Sequence, residues 1–68
     1  MSSCVTVNGK PQELQPGIPL DAFLRQMKLD PAWVVVELNG EPVPRVRIGG
    51  IRLNCGDRIE IVRAVPGG

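Results

Sequence analysis

The chain has 68 residues, with no His, no Tyr, one Trp and one Phe, and its 8 basic and 7 acidic side chains leave a net charge of +1. A domain of this size buries only about 60% of the surface its unfolded chain exposes, too thin a core to enclose a deep ligand pocket. The missing His removes the usual acid–base group at neutral pH and the commonest metal ligand, so a self-contained enzyme is a poor reading.

Cys4-Val5-Thr6-Val7 alternates and is rich in β-branched residues, which predicts a short strand. Asn8-Gly9 follows as a type I′ hairpin turn, where both central residues need positive φ. Lys10 to Leu14 returns as an edge strand, the one place in a sheet that suits Pro11. Leu20, Phe23, Leu24 and Met27 form an apolar stripe at helical spacing, predicting a helix over Leu20 to Lys28. Pro19 suits its first turn, Ile18 is a poor N-cap, and Asp30-Pro31 stops it.

Val34 to Leu38 reads as a strand with Val34, Val36 and Leu38 on one face and Val35 and Glu37 on the other. Asn39-Gly40 is a second hairpin turn, and Glu41 to Pro44 returns as another edge arm with two prolines. Gly49-Gly50 is expected to break any regular element between Val46 and Leu53. Asn54 to Asp57 is a turn. Arg58 to Val65 is the last strand, with Ile59 and Ile61 inward and Glu60 and Val62 outward. The order predicts an α+β fold, a mixed sheet of four or five strands with one helix packed across it. Residues 1–64 form this domain and residues 65–68 a flexible tail.

No basic block and only two aromatic side chains argue against a nucleic-acid partner. The longest apolar run, Ala32 to Val36, is too short to cross a bilayer, and Met1-Ser2-Ser3-Cys4 does not look like a secretory signal. Two cysteines do not make a disulfide framework, so both thiols are expected reduced and the chain cytoplasmic. Cys4 reads as a small core residue and Cys55 as an exposed turn residue. Neither has a His to activate it, and no four residues carry zinc-ligand spacing.

Gly67-Gly68 is the unusual feature, a pair expected at chain ends in roughly 0.5% of cases from average glycine usage. A chain end without side chains can thread a narrow channel and leaves a carboxylate that is ionised at neutral pH. Adenylation would give that poor acyl donor a leaving group. Pro66 restrains the approach to the pair. Arg45, Arg58 and Arg63 lie on elements near the tail and are candidate docking residues. Val35, Val62 and Ala64, beside Arg63 on the outer sheet face, are expected to form a small docking patch.

Three blocks now carry a resemblance. Val34-Val35-Val36-Glu37-Leu38-Asn39-Gly40-Glu41-Pro42-Val43-Pro44-Arg45 is similar to the central segment of the ThiS family of sulfur carriers. Gly56-Asp57-Arg58-Ile59-Glu60-Ile61-Val62 and Ala64-Val65-Pro66-Gly67-Gly68 resemble its last strand and its end. The opening Val5 to Lys10 is also typical. The resemblance implies a ubiquitin-like β-grasp fold with the first and last strands parallel at the sheet centre. It implies that a ubiquitin-activating-like adenylyltransferase uses ATP and magnesium on Gly68, with Gly67 as a thin neck. Sulfur from cysteine, relayed through a desulfurase, would make a thiocarboxylate that supplies thiazole synthase in thiamine biosynthesis. The chain itself binds no cofactor or metal in this reading. The small subunit of molybdopterin synthase and a ubiquitin-like protein modifier are the alternatives.

Overall fold

The computed structural model describes residues 4–64. Val5–Val7 (β1) turns through Asn8-Gly9 into Lys10–Gln12 (β2). Asn8 and Gly9 have φ of 52° and 82°, the left-handed pair that the type I′ turn needs. After Leu20–Gln26 (α1) and a 3-10 turn over Pro31–Trp33 comes Val34–Leu38 (β3). Asn39-Gly40 then leads into Glu41–Val43 (β4). A second 3-10 helix, Arg45–Gly50, precedes Arg58–Arg63 (β5).

The sheet order is β2-β1-β5-β3-β4. The two proline-bearing arms are the edges, as ladder chemistry requires. β1 and β5 run parallel at the centre, and β3 pairs antiparallel with the other side of β5. This is the mixed five-stranded sheet with one helix that the chain order predicts, in the ubiquitin-like β-grasp arrangement.

One face of the sheet packs on α1. Val5, Val7, Val34, Val36 and Ile59 from the strands meet Leu20, Phe23 and Leu24 from the helix. Ile48 and Leu53 from the long connection complete this buried set. Each fully buried aliphatic or Phe side chain contributes roughly 1.5–3 kcal/mol by leaving water.

Several boundaries differ from the sequence reading. The returning arms stop at Gln12 and Val43, and β5 ends at Arg63; Val65 lies outside the described residues. Pro19 is the N-cap of α1 rather than a first-turn residue, and it offers no side-chain acceptor. The Leu20 N–H instead donates to Ile51 C=O at 2.8 Å, so a neighbouring strap replaces the missing cap. At the other end α1 stops at Gln26, before Asp30-Pro31 is reached. Lys28 takes a φ of 62°, while Lys28 N–H donates to Arg25 C=O and Leu29 N–H to Leu24 C=O. That is a Schellman ending with lysine in the position glycine usually fills.

Gly49-Gly50 does not break the connection, because the second 3-10 helix runs through both glycines. Tertiary packing overrides propensity here: Ile48 is buried in the core and this segment packs against α1. The strap then returns alongside the entry to α1. Leu53 N–H donates to Ile18 C=O at 2.9 Å, and Gly17 N–H to Leu53 C=O at 2.7 Å.

The cysteines correct a second expectation. Cys4 and Cys55 are joined in a disulfide, with Cα atoms 4.6 Å apart, so neither thiol is free. Parallel pairing explains the meeting: it brings the residues leading into β1 and β5 side by side. Gly56 N–H donates to Cys4 C=O at 2.7 Å across the same junction.

Candidate functional site at the root of the tail

β5 is the element from which the tail departs, and it is held unusually well. On one flank, β3 pairs with it from Val34↔Arg63 to Leu38↔Ile59. On the other flank, β1 pairs only as far as Val7↔Ile59, where the chain turns away. The Asn8 side chain takes over from there. Its Oδ1 accepts from Ile61 N–H at 2.7 Å and its Nδ2 donates to Ile61 C=O at 3.1 Å, copying a strand partner. Asn39 acts similarly at the start of the strand, where its Oδ1 accepts from Arg58 N–H at 2.8 Å. Its Nδ2 donates to Asp57 Oδ1 at 3.1 Å. Both hairpin asparagines thus combine a left-handed turn with a clamp on β5, which glycine there would lack.

Strand alternation sorts the docking candidates onto two faces. Val35 and Val62 stand opposite each other on the outer face, 50% and 65% exposed. Next to them on that face Glu37 stands opposite Glu60, two like charges in direct register. Ala64 is half-buried, and its N–H donates to Trp33 C=O at 2.7 Å. Arg63 departs from expectation. It follows Ile59 and Ile61 by the two-residue period, so it sits on the helix side of the sheet rather than beside Val62. Arg58 and Arg63 lie at opposite ends of β5 and form no single cluster with Arg45. Pro66, Gly67 and Gly68 lie outside the described residues.

On the helix side, at the foot of the tail, is a groove of about 400 Å³. Leu29, Val34 and Ala64 supply apolar surface, and Trp33, 49% exposed, supplies an aromatic ring. Lys28, Asp30 and Arg63 also line it. The Asp30 carboxylate is engaged, since its Oδ1 accepts from Ala32 N–H at 2.9 Å and starts the 3-10 turn. Nothing in the local sequence marks Trp33 or Lys28 as a site residue. No spacing rule could join Lys28 to Arg63 without the fold.

No group of three His, Cys, Asp or Glu side chains among the described residues could hold a metal ion. Among the described residues no helix is long and apolar enough to cross a membrane.

Comparison with known proteins places this geometry among relatives. The ThiS family model matches residues 5–68. The crystal structure of a thiamine biosynthesis protein, ThiS, from Geobacter metallireducens superposes with a TM-score of 0.82 at 31% identity, covering 96% of this chain and 99% of that one. A solution structure of a thiamine biosynthesis protein from the same organism gives 0.76 at 31% identity, covering 96% and 87%. Among curated proteins, a thiazole synthase of Paramagnetospirillum magneticum is 31% identical over 64 residues. One of Magnetococcus marinus is 33% identical over 64 residues. Each match takes in 94% of this chain but 20% of the relative, so the chain spans about a fifth of the length of these proteins.

Proposed function

Because this chain belongs to the ThiS family, the small sulfur carriers of thiamine biosynthesis, we propose that its working group is the Gly68 carboxylate. A ubiquitin-activating-like adenylyltransferase, using ATP and magnesium, joins that carboxylate to AMP and releases pyrophosphate. A persulfide, formed from cysteine by a desulfurase, displaces AMP to give an acyl disulfide. A thiol reductant then cleaves the S–S bond, leaving the thiocarboxylate on Gly68 and the thiol oxidised to a disulfide. Thiazole synthase then takes the sulfur. The chain is a co-substrate in this cycle and supplies no acid, base or metal. Residues 65–68 serve as the tail, with Gly67 and Pro66 as its narrow approach, and residues 1–64 as the body that partners grip.

The observation that carries this reading is the family match, which runs through the terminal Gly67-Gly68 rather than stopping at the folded body. The fold supports it physically. The strand that leads to the tail is the middle strand of the sheet, paired on both sides and clamped by two asparagines. The likeness to segments of proteins named thiazole synthase supports that enzyme as the sulfur acceptor. Val35, Val62, Ala64 and Arg63 are the proposed docking residues. The cytoplasm is the proposed compartment because adenylation needs ATP, and not because the thiols are reduced, since Cys4 and Cys55 are bonded.

Intact-mass measurement tests the chemistry. With the cognate adenylyltransferase, ATP, magnesium and a sulfur source, the chain should gain the mass of one oxygen-to-sulfur exchange. Deleting Gly68 should abolish the gain and leave the thermal midpoint unchanged. No gain, with the enzyme shown active on another carrier, would refute the proposal.

A further inference from the structure

The groove at the foot of the tail has a chemistry of its own. Its lining takes apolar surface from Leu29, the buried Val34 and Ala64, together with the exposed Trp33. Lys28 and Arg63 stand on its rim, and neither forms an ion pair with another described residue. The one carboxylate in the lining, Asp30, accepts the Ala32 N–H on Oδ1 and keeps its charge, so the groove carries two cations against one anion. An exposed Trp beside an unpaired Arg, in a groove with an apolar lining, has the composition of an interface hot spot rather than of a solvated surface.

We propose that this groove receives a segment of thiazole synthase that presents an apolar side chain next to a carboxylate. The apolar group would fill the groove against Trp33, and the carboxylate would pair with Lys28 and Arg63. Charge complementarity favours this class of occupant: Lys28 and Arg63 against the single Asp30 leave the groove net positive, which attracts a carboxylate and repels a basic segment. Position points to the enzyme. Ala64, where the tail begins, lines the groove and is tied through its N–H to Trp33 C=O. An enzyme that takes the tail end into its site comes within reach of this groove, and the likeness of this chain to segments of thiazole synthases favours that enzyme over the adenylyltransferase. The proposal rests on the carrier reading above and deepens it by naming a second contact besides the tail. It also gives Arg63 and the outer pair Val35–Val62 separate tasks, since they face opposite ways.

The chain's single Trp makes the test direct, because its indole N–H gives one resonance in a spectrum of the 15N-labelled protein. The unlabelled cognate thiazole synthase is titrated into the full chain. The Trp33 indole and the Leu29 and Ala64 amides should shift or broaden with binding. Lys28→Glu with Arg63→Glu should weaken binding at least tenfold while amide dispersion is kept, as both side chains are exposed. Arg63→Gln should give a smaller loss, and rising salt should weaken the wild type more than the double variant.

Binding measured by calorimetry with no change at the Trp33 indole overturns the proposal and leaves the carrier reading standing. So does a less than twofold effect of the double variant. Shifts that follow the carrier's own concentration, or appear on deleting residues 65–68 alone, assign the groove to a second copy or to the tail and overturn the proposal. Failure to bind synthase together with failure to accept sulfur overturns both readings.

Discussion

Reducing the Cys4–Cys55 bond should remove a large part of this domain's stability. The bond spans 51 positions and so closes most of the chain into one loop. In the chain-entropy account, a loop of that length restricts the unfolded state by about 4 kcal/mol. The folded state should lose little on reduction. Cys4 N–H still donates to Gln12 C=O at 3.1 Å and Gly56 N–H to Cys4 C=O at 2.7 Å, so the backbones that carry the sulfurs stay tied. The effect is therefore assigned to the unfolded ensemble. A domain of 68 residues has roughly 3–10 kcal/mol in all, so the oxidised and reduced forms should differ plainly. Urea unfolding followed by far-ultraviolet circular dichroism, with and without a phosphine reductant, reads the difference. With a slope of about 1–2 kcal/mol/M, the midpoint should fall by about 2–4 M on reduction. The double variant Cys4→Ser, Cys55→Ser should match the reduced protein and ignore the reductant. Equal midpoints for chains shown by mass to be oxidised and reduced would refute the reasoning.

Three further substitutions test the geometry. Lys28→Gly should stabilise the chain by about 0.5–1 kcal/mol, seen as a rise of a few degrees in thermal midpoint, because the left-handed φ of 62° strains lysine and not glycine. Asn8→Ala should cost about 1–3 kcal/mol in urea unfolding, since it leaves the Ile61 N–H and C=O without their side-chain partners and strains the turn. Glu37→Lys should gain up to about 1 kcal/mol by replacing a like-charge pair with an attractive one opposite Glu60, and added salt should shrink the gain.

What could be read from the sequence was local. The helix stripe, both Asn-Gly turns and the edge prolines each act within a few residues, and the structure has all of them. The central parallel pair came from family likeness, because nothing local in Val5–Val7 or Arg58–Arg63 says that they are neighbours. The disulfide was invisible for that reason: it depends on two chain segments that only the finished sheet brings together. Gly49-Gly50 read as a break because helix propensity is a weak prior, and burial of Ile48 outweighs it. The misplaced Arg63 is a different kind of miss. Alternation from Ile59 and Ile61 already assigns it to the helix side, so the signal was present in the residues. The tail-root groove needed the fold itself, since Lys28 follows α1, Trp33 ends the first 3-10 turn and Arg63 ends β5.

The position of β5 between β1 and β3 also has a mechanical meaning. Tension on the tail acts along the axis of β5, while the ladder hydrogen bonds on both flanks lie across it. Such a pull loads both ladders in shear, so the bonds resist together instead of parting one at a time. Slippage by a single residue would turn Ile59 and Ile61 out of the core, so yielding in small steps is blocked. In the cycle proposed above, an enzyme drawing the tail into its channel would leave the body behind it folded. A protein-degrading machine that grips the same end would face the full strength of the sheet at its first stroke.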